Sequence, residues 1–221
     1  MRRRGLIGLA AMAPWLAAAE TVPPLSDAQV LLFETPHLAV LRPPLRLEYS
    51  FLREEDGRTP VRDTIRLEIR AAEEEGRRDV RPEFLTGPRA LHYPEARGFR
   101  GNPLLLYALD RDARELSAAT GGSMGWFRNR IRQSLVTATA RRVAVPFEGR
   151  AVEASEIELL PFAGEPRARR YQERRFTFLL AEAVPGWLLA IRTELPAGEA
   201  GGAVREAIAF EASQPLPEHA R

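Results

Sequence analysis

The chain has 221 residues, with 32 basic residues that are all arginine, 30 acids, three histidines and no cysteine. Three of those arginines fall in an expected export leader, which leaves 29 against 30 acids; so balanced a domain has no electrostatic footprint for general nucleic-acid binding. Without cysteine there can be no disulfide, no lipidated cysteine and no thiol nucleophile, so stability rests on an ordinary core.

The leader comes first in chain order. Arg2, Arg3 and Arg4 precede an apolar run from Leu6 to Leu16, and Ala17-Ala18-Ala19 follow. This order of charge, short apolar run and small residues predicts a signal peptide over residues 1–19 and a periplasmic destination. The run is shorter than the ~20 residues that cross a bilayer as a helix, so nothing is expected to span the membrane after cleavage. Arg3-Arg4-Gly5-Leu6-Ile7 is similar to a twin-arginine motif, but ordinary secretion is favoured because basic leaders contain Arg pairs by chance. Residues 20–212 suffice for one domain, and 213–221, with Pro215 and Pro217, read as a flexible tail.

After an irregular lead, Leu45, Leu47, Tyr49 and Phe51 alternate with polar residues, as do Ile65, Leu67 and Ile69, the period of a half-buried strand. Asp56-Gly57 marks the turn between them. A two-residue loop there would set Phe51 opposite Arg62 and mix the faces, so an odd-numbered loop or a bulge is required, with Gly57 at positive φ. Further strands are expected at Val80–Leu85 and Arg89–Tyr93.

The period then changes. Asn102-Pro103 predicts a helix over about 103–119, with Leu105, Leu109, Ala113 and Leu116 inward and the pairs Asp110–Arg114 and Arg111–Glu115 on the outer face. Gly121-Gly122 ends it, and a second helix is expected over 123–136, with Phe127, Ile131 and Leu135 on one face and Arg128 and Arg132 on another. Strands resume at Arg142. A two-residue turn at Glu148-Gly149 pairs Val145 with Val152, and a shift of apolar parity toward Ile157 predicts a bulge near Ser155. A charged loop from Pro161 to Arg175 precedes strands around Phe176–Leu180, Trp187–Leu195 and Val204–Phe210.

The fold class is therefore α+β and β-rich: a curved, mostly antiparallel sheet, an open or half barrel, with a two-helix insert between its halves. That strand and helix order resembles periplasmic lipoprotein carriers and related envelope proteins, and the resemblance implies a curved sheet shielding an apolar concave face. The stretches Thr120-Gly121-Gly122-Ser123, Phe127-Arg128-Asn129-Arg130-Ile131-Arg132 and Val184-Pro185-Gly186 also resemble a group of exported bacterial proteins to which no activity is attached.

No catalytic motif is present, so the chain reads as a non-enzyme without cofactor or metal. His37, His92 and His219 lack ligand spacing, and Gly121-Gly122-Ser123-Met124-Gly125 is better read as an interhelical turn than as an anion cradle. From Ser123 to Arg175 eleven arginines face six acids, an excess of five positive charges. Arginine forks suit phosphate and carboxylate. The expected function is that of a periplasmic binding or carrier protein for an apolar or amphiphilic, anionic-lipid-like ligand. Its candidate residues are Arg128, Arg130, Arg167, Arg169 and Arg170, with Trp126 and Trp187. The alternative is a non-catalytic accessory protein that contacts a partner in a cell-envelope complex.

Overall fold

A computed structural model describes residues 24–199 and 201–217. The signal segment 1–19 and His219 lie outside the described residues. Nine antiparallel strands form one sheet in the order β4-β3-β2-β1-β9-β8-β7-β6-β5. The strands are β1 (Leu45–Glu55), β2 (Val61–Ala71), β3 (Arg78–Phe84), β4 (Ala96–Phe99), β5 (Ala140–Phe147), β6 (Arg150–Leu159), β7 (Arg175–Leu180), β8 (Leu188–Leu195) and β9 (Val204–Pro215). The last strand closes on the first, which joins the two halves in the middle and leaves β4 and β5 as open edges. Between those edges the chain runs through α2 (Leu104–Thr120) and α3 (Met124–Val136). A chain that leaves one edge and re-enters at the other must cross a face of the sheet, so the helical hairpin lies over the curved sheet.

Register follows the apolar pattern. Phe51 stands opposite Asp63 and Tyr49 opposite Ile65, so the odd-numbered loop is present and Gly57 has φ +76°. Leu47, Tyr49, Ile65, Leu67, Ile69, Val80 and Phe84 all fall in the main core. In the β5–β6 hairpin Glu148 and Gly149 both have positive φ, the two-residue turn expected, and Val145 pairs with Val152.

Four expectations need correction. The bulge near Ser155 is absent: Ser155 pairs with Arg142 on one side and Leu180 on the other in unbroken register. The parity shift has another cause. β7 stops at Leu180, and beyond it Val143, Val145, Phe147, Val152 and Ala154 join a separate small cluster with Ala181, Val184 and Leu189. The register instead slips at Glu48/Tyr49 between β1 and β9 and at Leu179/Leu180 between β7 and β8.

Arg89–Tyr93 is not a strand. Gly87–Arg89 forms a 3-10 turn and only Leu91 bridges to Phe84, because the segment's aromatic side chain reaches for α2 instead. Tyr93 stacks on Tyr107 at 4.6 Å and donates to its carbonyl at 3.0 Å. The tail also begins later than Ser213. β9 continues to Pro215, with Ser213 opposite Leu47, since the first half of β1 would otherwise leave backbone groups unpaired along that side. Finally, the lead is not irregular throughout. Ser26 and Gln29 form a capping box on α1 (Asp27–Gln29), which continues as a π-helical turn over Val30–Glu34 and buries Ala28 and Leu32.

His37 ties this lead to the rest. It is fully buried; its Nδ1 accepts from the Asn102 N–H at 3.0 Å, so Nε2 carries the proton donated to the Leu31 carbonyl at 2.8 Å. Asn102 in turn donates to Tyr49 Oη at 3.0 Å and to the Gly186 carbonyl at 3.1 Å. Only glycine fits at 186: φ is +74° and a Cβ would stand 2.8 Å from Leu47 Cδ1. Burial pushes the His37 pKa down to about 4 against the helping bond from Leu31.

A group held neutral in the fold and charged in the unfolded chain contributes full stability above pH ~6.5 and loses it as pH falls toward ~4. The full span amounts to about 3 kcal/mol. Urea unfolding at pH 7 and pH 4.5 is therefore expected to show the native protein losing about 2–3 kcal/mol more than a His37→Gln variant over the same interval.

Candidate functional site

On α2, Asn102 still caps the helix by accepting from the Leu104 N–H at 3.1 Å, although the helix starts at Leu104. The face turned to the sheet is not purely apolar. It carries Ala108, Arg111, Asp112, Ala113 and Leu116, all buried. Arg111 thus points inward, not to the outer face expected for it; its i,i+4 bond to Glu115 forms at 2.6 Å but belongs to a buried cluster.

Glu206 on β9 is the hub of that cluster. It accepts from Arg111 at 2.9 and 3.0 Å, from Arg53 at 2.8 Å, and from Arg174 and the Thr193 hydroxyl at 3.3 Å each. Arg174 also bonds Asp112, and Arg53 reaches Glu115 at 3.3 Å. The apolar walls take part, since the Arg111 guanidinium lies 4.8 Å above the Phe51 ring. Burial alone would raise the Glu206 pKa, but the bonds and charges of Arg111, Arg174 and Arg53 hold it down to about 2. Asp112 moves the other way, because burial and the charge of Glu206 outweigh Arg174.

Chemically the cluster is a clamp. Oxygens of Asp112, Glu115 and Glu206 lie within 4.8 Å of one another, a spacing that would suit a cation. Three guanidinium groups already occupy that space, however, and would repel one. The residual void beside them is about 20 Å³, bounded by Phe51, Leu109, Phe176 and Ile191 as well as the charged groups. A void of that size holds about one water. The space between α2 and the sheet is thus filled at this point.

The larger apolar space lies elsewhere around the helices. A groove of about 450 Å³ is lined by Gln29 and Phe33 from the lead, Leu106, Leu109 and Asp110 from α2, and Arg128, Ile131, Arg132 and Leu135 from α3. It exists because Ser26 Oγ donates to the Leu135 carbonyl at 2.6 Å, which ties the lead to the C-terminal end of α3. Asp110 binds both Arg114, at 2.6 Å, and Arg128. Burial opposes its ionisation, yet the bonds from the two arginines keep its pKa below the usual carboxylate value.

The candidate residues named from sequence do not converge. Arg128 lines the groove. Arg130 turns from it to the Pro161 carbonyl at 3.2 Å and Glu165 at 3.0 Å. Arg167, Arg169 and Arg170 sit on the 3-10 segment Pro166–Glu173, where Arg170 donates to the Gly202 carbonyl at 2.6 Å and Arg169 has φ +53°. Trp126 packs on Phe127 and Phe162, at the border of the core. Trp187, at φ +62°, lies 5.7 Å from the His37 ring near the Gly186 turn. His92 is exposed, and the Gly121-Gly122-Ser123 stretch is an interhelical turn, with Gly121 left-handed at the helix end.

Sequence reasoning missed Gln29, Phe33, Leu106 and Leu109 as groove residues. One signal could have found the first two: Ser26-Asp27-Ala28-Gln29 has the spacing of a capping box.

No protein-family model matches the chain, and no curated protein matches it. Among solved structures it is similar to the lipoprotein LppX of Mycobacterium tuberculosis, with 11% identity over 79% of this chain and 89% of that one and a TM-score of 0.34. It is also similar to a chain of the MucA/MucB complex of Pseudomonas aeruginosa, with 16% identity, 87% of this chain, 59% of that one and a TM-score of 0.33. A LolA-superfamily protein of Nitrosomonas europaea shares 8% identity over 87% of this chain and 94% of that one, at a TM-score of 0.25. Likeness at this level assigns no activity.

Breaking one member of a buried charge cluster leaves its partners uncompensated, at a cost of about 3–5 kcal/mol. Glu206→Gln is expected to lower the unfolding free energy by about 4 kcal/mol and Arg111→Met by about 3. In the double variant the losses should fall short of their sum by at least about 1 kcal/mol, measured by urea unfolding at pH 7.

Proposed function

We propose that the chain is an exported, non-catalytic binding protein of the cell envelope that holds the apolar part of an amphiphile in the groove among α1, α2 and α3. Arg128 and Arg132 stand at the anionic end of that ligand. The observation that carries this reading is the make-up of the groove: an apolar floor of Phe33, Leu106, Leu109, Ile131 and Leu135 with two guanidinium groups beside it. Small-molecule sites are commonly apolar clefts of about 300–1,000 Å³ with a few polar groups that fix orientation, and this groove falls in that range.

The non-catalytic part of the reading is supported by the state of the buried polar groups. Glu206 and one oxygen of Asp112 are engaged by arginine, and both ring nitrogens of His37 are bonded. The buried cluster speaks against a ligand between α2 and the sheet at that level. The runner-up, an accessory chain that binds a partner by strand addition, draws on the open edge of β5. Pro146 and the exposed Arg141 and Arg142 on that strand are the kind of residues that guard an edge.

Titration with dodecyl phosphate, followed by displacement of an environment-sensitive fluorescent fatty acid, tests the proposal. Saturable binding is expected, weakened about tenfold by Leu106→Glu, a change at an exposed position that leaves the core intact. Arg132→Glu should weaken dodecyl phosphate but leave dodecanol unchanged. Absence of saturable binding, or a Leu106→Glu protein that binds like the native one, overturns the reading.

A further inference from the structure

Three helical segments meet at the groove, and each lends it little length. The lead contributes Gln29 and Phe33, α2 contributes Leu106, Leu109 and Asp110, and α3 contributes positions from Arg128 to Leu135. At about 1.5 Å per residue those spans are roughly 6, 6 and 10 Å. The lead also sets where the groove stops. Ser26 Oγ is bonded to the Leu135 carbonyl near the end of α3, and His37 to the Asn102 N–H just before α2, so the lead crosses between the two helices at the end of the hairpin away from its turn. No lining residue lies past Leu135 on α3 or before Leu106 on α2.

Length and volume together define a shape. An extended alkyl chain advances about 1.2 Å per bond, by the geometry that lets a three-bond residue span ~3.3–3.6 Å, so about eight carbons cover roughly 10 Å. Taking roughly 30 Å³ per heavy-atom group, the share of a water in its liquid, eight carbons fill about 240 Å³. The groove offers about 450 Å³, room for about fifteen such groups. It is broader than one chain and too short for a long one. A straight chain can fill it only by doubling back and freezing its rotors, whereas a rigid fused-ring body arrives with its shape already set. The apolar lining is aliphatic apart from the Phe33 ring, so fit and buried area, not stacking, decide what is held.

We propose that the apolar body held in this groove is compact and polycyclic, as in a fused-ring terpenoid acid of about fifteen ring and methyl carbons, and not a long acyl chain. The proposal rests on the groove reading above and narrows it to a substrate class.

Abietate, a three-ring carboxylate, and tetradecanoate carry the same head group, so charge at the groove cancels from their comparison. In displacement of the fluorescent fatty acid, abietate is expected to bind at least about tenfold more tightly. Straight-chain acids should gain about fourfold per methylene up to octanoate and flatten beyond it. Leu106 is an exposed member of the lining, so Leu106→Trp takes up groove space without entering the core, and circular dichroism checks its fold. That variant should lose abietate about tenfold and octanoate less than about threefold. Equal affinity for abietate and tetradecanoate, or a straight-chain series that keeps its step past dodecanoate, overturns the compact body while leaving the groove reading in place. Abietate binding that ignores Leu106→Trp puts its site elsewhere and overturns the proposal as well. If neither acid nor dodecyl phosphate binds saturably, the groove reading falls and takes the polycyclic body with it.

Discussion

Glu206 receives three arginines inside the protein, and that arrangement governs how the helical hairpin meets the sheet. One arginine comes from β1, one from α2 and one from the residue just before β7, so a single carboxylate on β9 holds together elements far apart in sequence. A buried carboxylate without them would carry a desolvation cost of several kcal/mol, and so would each guanidinium. The positions of the partners are therefore mutually dependent. α2 can neither slide along the sheet nor rotate on its axis without stranding Arg111 or Asp112.

The clamp has a second effect, on where a ligand can lie. In a half barrel the hollow beneath the helices is the obvious container, and the apolar concave face implied by the carrier resemblance would make it so. Here charged side chains and the Phe51 and Phe176 rings close that space at the level of Glu206. The apolar volume reappears among the helices, where the lead helix does not fully cover Leu106 and Leu109. The lead, which looks like a linker, is therefore one wall of the candidate site.

Much of the sheet was legible because alternation is a strong local signal. Phe51 and Ile65 demand one register between β1 and β2, and Glu148-Gly149 demands one turn. What was not legible depends on partners far away in sequence. Nothing in Arg111 and Glu115 distinguishes a surface pair from half of a buried cluster; only Glu206, distant along the chain, makes the difference. The same holds for Ser155, whose neighbours changed sides because β7 ends early, and for the tail, which is ordered by β1. The candidate arginines were chosen by local density, and density does not say which way a guanidinium points. Arg128 and Arg132 reach the groove, whereas Arg130, two residues from each, is held by the Pro161 carbonyl and Glu165.

The pairing of β1 with β9 also bears on the order in which the sheet can be completed. A strand that starts at Leu45 must wait for one that starts at Val204 before either can leave the sheet's edge. Contacts of such long sequence separation form slowly, since the intervening loop has to close first. Until β9 is made, β1 keeps one side unpaired, an open template on which another strand could add.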